Sequence, residues 1–198
     1  MTVVVLASSS ETRKALLEAA GINAVQTAPR VDETAIKTAL QAAAAAAPAA
    51  ALALAEAKAL DVGRRQGQAL VIGADQMLDC EGRWFDKPSD RESAYRQLQY
   101  LRGRTHRLST AVVVTVGGDV LWHHLAEATL TMRPFNDATL ECYLDQAGSA
   151  ALSSVGAYQL ERLGAQLFSK VAGDHFAILG LPLLPLLEFL RSHGVGLP

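Results

Sequence analysis

The segment Ala69-Leu70-Val71-Ile72-Gly73-Ala74-Asp75-Gln76-Met77 decides how this chain is read. A short apolar run rich in Val, Leu and Ile has the character of a buried strand. It passes through Gly-Ala into a carboxylate. Ligands of α/β proteins bind where strands end, so Asp75 is read either as a turn former or as a site residue. Beyond it, Met77 to Phe85 has the pattern of a hairpin turning at Glu81-Gly82, which delivers Asp86-Lys87-Pro88. The residue before a proline is held in extended backbone, so Lys87 sits on a loop.

Working outward, Val3 to Leu6 is a second strand-like run, followed by the loop Ala7-Ser8-Ser9-Ser10 and a helix over 12–20 that stops at Gly21. A serine-rich loop opening a helix after a strand suits an anion; taken alone, the segment favours ordinary helix capping by Ser or Thr. Residues 39–60 are alanine-rich and contain Pro48, which predicts one or two helices. Lys58 lies there among small residues, as on a solvated helix face. Further on, a helix is expected over 89–101 with Ala94, Leu98 and Leu101 on one face. Two strands, 111–116 and 120–130, surround Gly117-Gly118-Asp119, a hairpin turn. Helices over 136–146 and 183–193 follow, with a glycine-punctuated stretch at 153–180 between them. Strands alternating with helices, plus two hairpins, predict an α/β domain with a mixed sheet.

Composition narrows the function. The chain has 198 residues, 50% apolar and 19% charged, enough for one domain with a sizeable core. Eighteen basic and twenty acidic residues give a net charge of −2. That balance gives no reason to expect nucleic-acid or membrane binding. Cys80 and Cys142 are too few for a disulfide framework or a four-thiolate zinc site. They fit a reducing compartment. The first apolar run is too short for a signal peptide, and charges interrupt every long apolar stretch. A soluble cytoplasmic protein is expected. There is no GxxxxGK[ST] loop and no G-x-S-x-G nucleophile setting. His123-His124 lie in a strand, where neighbours point to opposite faces, so they do not make a metal site by themselves.

The motifs gain weight in combination. Leu6 to Arg13, Asp32-Glu33, Leu54 to Ala59, Gly73-Ala74-Asp75-Gln76 and Lys87-Pro88 follow in order. Then come Leu101 to His106, Glu127-Ala128-Thr129, Gly156-Ala157-Tyr158, Gly173-Asp174-His175 and Gly180-Leu181-Pro182-Leu183. In order and spacing this set resembles the Maf family over nearly the whole chain. The resemblance implies an elongated two-lobed α/β fold, a single Maf-like domain over 1–198, with a mixed twisted sheet and a deep central cleft. It implies a nucleoside triphosphate pyrophosphatase that releases a nucleoside monophosphate and pyrophosphate, uses Mg2+ or Mn2+, and is commonly a homodimer.

The same resemblance assigns roles. Asp75 is the proton acceptor, with Glu33, Lys58 and Lys87 at catalytic positions and Glu33 and Asp75 as metal ligands. Ser8, Ser10, Arg13 and His106 contact substrate phosphate, and His175 stands at a motif position. These residue types suit the chemistry: Arg offers a fork of donors to phosphate, Lys a point charge, and carboxylates the oxygen donors that Mg2+ and Mn2+ prefer. Members preferring 7-methyl-GTP have Gln after the catalytic aspartate and Glu near the tyrosine. Those preferring dTTP and UTP have Thr and Gln. Here Gln76 and Glu161, with Arg13 as third member, point to 7-methyl-GTP. A carboxylate can accept from a purine N1–H and exocyclic amine while pairing with the cationic methylated ring. Two departures stand out: Ser154 replaces a customary lysine, and His175 a customary tyrosine. The alternatives are a dTTP/UTP pyrophosphatase, a nucleotide-binding cell-division regulator with little turnover, and an inosine/xanthosine triphosphatase.

Overall fold

A computed structural model of the protein describes residues 2–197. In chain order its elements are β1 (Val4–Ala7), α1 (Glu11–Ala19), β2 (Ala24–Gln26), α2 (Glu33–Ala42), α3 (Ala47–Gln66), β3 (Leu70–Cys80) and β4 (Arg83–Phe85). These are followed by α4 (Arg91–Leu101), β5 (Thr105–Val116), β6 (Asp119–Met132), α5 (Asp137–Ala147), β7 (Phe168–Ala172), α6 (His175–Ile178) and α7 (Leu183–Ser192). The strands form one seven-stranded mixed sheet in the order β2-β1-β3-β5-β6-β7, with β4 paired to β3. β1 runs parallel to β2 and β3, whereas β4 and β7 pair antiparallel with their neighbours.

The chain divides into two compact units. The first comprises the segments up to Gln76, Thr110–Ala126 and from His175 onward; the second comprises Met77–Ser109 and Glu127–Asp174. In the first unit the sheet is covered on both faces, and strand alternation shows how. Val4, Leu6, Leu70, Ile72 and Ala74 join Leu17 of α1 and Leu183, Leu186 and Leu190 of α7 in one core cluster. Val5, Ala7, Ala69 and Val71 face the other way, onto Val62 of α3. Strands buried on both faces read as continuous apolar runs, which is how β1 and β3 appear in the sequence.

Gly73 has the same parity as Val71 and so faces α3. A Cβ there would lie 2.3 Å from the Ala55 carbonyl oxygen and 2.7 Å from the Ala59 nitrogen. The alanines of α3 and this glycine let helix and strand approach closely. Pro48 falls at the start of α3, where a missing N–H costs nothing. It begins a helix rather than breaking one. β3 also continues through Asp75 to Cys80, so Asp75 lies within a strand rather than beyond its end.

In the second unit, β3 and β4 form the expected hairpin, with Glu81 and Gly82 both at positive φ (56° and 81°). A turn with two such residues matches the twist of the paired strands. α4 begins at a capping box made by Asp90 and Ser93 and buries Ala94, Leu98 and Leu101 against its unit. α5 is capped by Asn136, whose side chain accepts from the Thr139 N–H at 2.9 Å.

Candidate active site

Asp75 and Gln76 are neighbours in β3, so their side chains leave opposite faces of the sheet. Asp75 points toward α3 and there meets Lys58. The Lys58 Nζ donates to Asp75 Oδ1 at 2.6 Å and lies 2.9 Å from Glu33 Oε1. Glu33 is the first residue of α2, whose start is set by Asp32 accepting from the Ala35 N–H at 3.0 Å. Lys58 and Asp75 are both buried. Buried charges are tolerated when they are paired and hydrogen-bonded. Lys58 is therefore no solvated helix-face lysine; the small residues around it allow it to sit against the strand.

Arg13 completes the group. Ser10 caps α1, its hydroxyl accepting from the Arg13 N–H at 3.4 Å. Ser8 Oγ accepts from the Ser10 N–H at 3.1 Å and from Arg13 Nη1 at 3.2 Å, and Arg13 Nε donates to the Gly180 carbonyl at 2.7 Å. The loop thus caps the helix and, through Ser8, also holds the guanidinium. Burial pushes the Arg13 pKa below its ordinary value, and the charges of Asp75 and Glu33 oppose that shift. Two carboxylates and two cations share one electrostatic neighbourhood.

Gln76 points to the other face. Its Nε2 lies 2.9 Å from Thr110 Oγ1, 3.0 Å from the Ala177 carbonyl and 3.1 Å from the Ile178 carbonyl. Thr110 is buried and escapes sequence reasoning: it opens an apolar strand run, and nothing in its neighbourhood marks it.

Three expected site residues belong to the second unit. Lys87 is exposed on the turn before α4; Gln97 of α4 steadies that turn by donating to the Asp86 carbonyl at 2.9 Å. His106 is 2% exposed, its Nε2 is 2.7 Å from the Tyr158 hydroxyl, and its ring packs on Tyr158 and Phe168. Burial lowers its pKa to about 4. A neutral, enclosed imidazole has no positive charge to offer phosphate, and the geometry gives His106 a place in the core. Glu161 is exposed. Burial, with help from the Glu161 charge, raises the Tyr143 hydroxyl to about 12, and that hydroxyl donates to the Ala157 carbonyl at 3.0 Å. Ser154 precedes the short turn Val155–Ala157.

Among the described residues no group of three or more His, Cys, Asp or Glu is placed to hold a metal ion. Glu33 and Asp75 converge on the Lys58 ammonium. Two carboxylates that already share one cation fit Mg2+ or Mn2+, which bind through one or two carboxylates and complete their shell with water and substrate phosphate. Among the described residues no helix is long and apolar enough to cross a membrane.

A mixed α/β sheet with a buried lysine–carboxylate cluster beside a strand–loop–helix serine hook defines an α/β protein with a polar site built on its parallel strands. Comparison with known proteins goes further. The family described as Maf-like protein matches residues 3–193, and the chain belongs to the Maf family. It is 53% identical to a protein of Paramagnetospirillum magneticum named nucleoside triphosphate pyrophosphatase, over 98% of this chain and 100% of that protein. It is 53% identical to a protein of the same name from Rhodospirillum rubrum, over 97% and 95%. It is 50% identical to the 7-methyl-GTP pyrophosphatase of Rhizobium johnstonii, over 96% of each.

Proposed function

We propose that this chain is a nucleoside triphosphate pyrophosphatase that hydrolyses the α–β phosphoanhydride. The observation that carries the reading is the buried Lys58 ammonium held between Asp75 and Glu33, with Arg13 in the same field. Hydrolysis of a triphosphate needs charge neutralisation, a positioned water and an acceptor for its proton. Arg13 and Lys58 supply positive charge to phosphate oxygens; Ser8 keeps the guanidinium fork aimed. Asp75 accepts the proton of the attacking water. The water oxygen bonds to the α-phosphorus as the bridge to the β-phosphate breaks, leaving monophosphate and pyrophosphate. Glu33 and Asp75 would hold Mg2+ or Mn2+, which neutralises phosphate charge and acidifies water. Lys87 is assigned a catalytic role on the family resemblance.

Preference for 7-methyl-GTP rests on Arg13, Gln76 and Glu161. The relatives carry both the general and the 7-methyl-GTP names. A homodimer working in the cytoplasm is the accompanying reading. The test is to incubate purified protein, with Mg2+ and separately Mn2+, with 7-methyl-GTP, GTP, dTTP, UTP, CTP and ITP and to separate the products. Monophosphate plus pyrophosphate, formed fastest from 7-methyl-GTP, is expected. Faster turnover of dTTP or UTP would keep the reaction and overturn the base preference. Nucleotide binding without turnover would favour the regulator.

A further inference from the structure

The carbonyls at the end of α6 and just beyond it take up donors from three side chains. The Ala177 oxygen accepts from Gln76 Nε2 at 3.0 Å, from Thr110 Oγ1 at 2.9 Å and from the Gly180 N–H at 2.9 Å. The Ile178 oxygen accepts from Gln76 Nε2 at 3.1 Å, and the Gly180 oxygen from Arg13 Nε at 2.7 Å. Carbonyl oxygens accept only. The terminal atom of Gln76 that faces two of them must therefore be nitrogen. Thr110 has one hydroxyl proton, and it goes to Ala177; its oxygen is left as an acceptor, and the two amide protons of Gln76 are shared among it and the two carbonyls. The amide cannot turn over without setting its oxygen against two carbonyls.

We propose that the turn Ala177–Gly180 is a template that fixes the polarity of Gln76 and the aim of Arg13, with the buried Thr110 as its positioning residue. Gln76 then has only its Oε1 to offer a ligand. It is an acceptor, not the two-way reader that a free glutamine would be. This inference rests on the reading of Gln76 and Arg13 as substrate contacts. An acceptor locked in one direction selects a base edge that presents donors. A guanine edge offers N1–H and an exocyclic amine; a uracil edge offers one N–H between two carbonyls, which would face the acceptor unfavourably. Thr110 is 1% exposed and acts through Gln76.

The test measures kcat and KM of the wild type, Thr110→Val and Thr110→Ser with 7-methyl-GTP, GTP and UTP, and with ITP, which lacks the exocyclic amine. Valine keeps the shape of threonine and removes the hydroxyl. The ratio of kcat/KM for 7-methyl-GTP to that for UTP is expected to fall about tenfold in Thr110→Val, mainly through KM, because the Gln76 amide, left with two of its three anchors, swings on the two carbonyls and no longer holds Oε1 square to the base edge. The GTP-to-ITP ratio should shrink with it, and Thr110→Ser should restore both. An unchanged ratio in a folded valine variant, or an equal loss on all substrates, overturns the proposal and leaves the enzyme reading intact. A wild type without turnover overturns the enzyme reading, and this inference with it. Should Thr110→Val fail to fold, Thr110→Ala is read in the same way.

Discussion

At the scale of single residues, the fate of Lys58 carries most of the argument. Its ammonium serves Asp75 at 2.6 Å and Glu33 at 2.9 Å. Removing one partner of a buried pair strands the other charges, at about 3–5 kcal/mol. Lys58→Met is therefore expected to lower stability by that order and to abolish turnover. Mn2+ should return part of the lost thermal stability, because the two carboxylates are left facing each other without the ammonium between them. Asp75→Asn keeps an acceptor for Lys58 and loses the base: kcat is expected to fall at least about 100-fold while the melting temperature changes little. Thermal melts with and without Mn2+, beside initial rates, check both. His106 supplies a separate handle. Its pKa falls from 6.5 to about 4 on burial, so between those values the unfolded chain binds a proton that the folded one refuses. Stability is complete above pH 6.5 and drops as pH falls, by about 2 kcal/mol from pH 7 to pH 5. Urea titrations at both pH values should show that loss, and His106→Gln, which cannot titrate, should flatten it.

At the scale of elements, the close packing of α3 on β3 holds Lys58 against Asp75. Adding a Cβ at Gly73 would bring it within 2.3 Å of the Ala55 carbonyl and 2.8 Å of the Ala59 Cβ, atoms that cannot swing away. Gly73→Ala is expected to cost about 3 kcal/mol through overpacking. It should also lower kcat, because moving α3 outward draws Nζ off Asp75; a denaturant midpoint and a rate on the same sample test both effects. Local chemistry made these elements legible where it was strong. The two-residue turn at Glu81-Gly82 and the Gly117-Gly118 hairpin are both readable. Lys58 was not, because alanine periodicity reports helix propensity but not which helix face meets a strand. Asp75 within β3 was missed for a related reason. Gly-Ala-Asp resembles a strand end in one dimension, yet the glycine is there for packing and the ladder continues. Thr110 and the carbonyls at the end of α6 carry no sequence signal, since they lie 34, 101 and 102 residues from Gln76 in the chain and two of the three acceptors are main-chain atoms.

At the scale of the molecule, the chain passes from one compact unit to the other inside β3, β5 and β6, and again just before α6. Neither unit is a continuous piece of sequence. A strand shared in this way couples the units through its backbone: fraying the ladder on one side of the crossing frees residues that hold the ladder on the other. The two tryptophans report on the units separately. Trp84 lies in β4 of the second unit, paired across the hairpin with Asp79. Trp122 lies in β6 of the first, stacked on Phe189 at 5.1 Å. Single-tryptophan variants Trp84→Phe and Trp122→Phe should therefore each unfold in urea at one midpoint, the same by fluorescence as by far-ultraviolet circular dichroism. Substitution at either site moves the midpoint of the whole variant, so the comparison is between probes within a variant. A fluorescence transition that precedes the dichroism in one variant and lags it in the other would mean that the units melt independently. The shared strands would then not be enough to couple them.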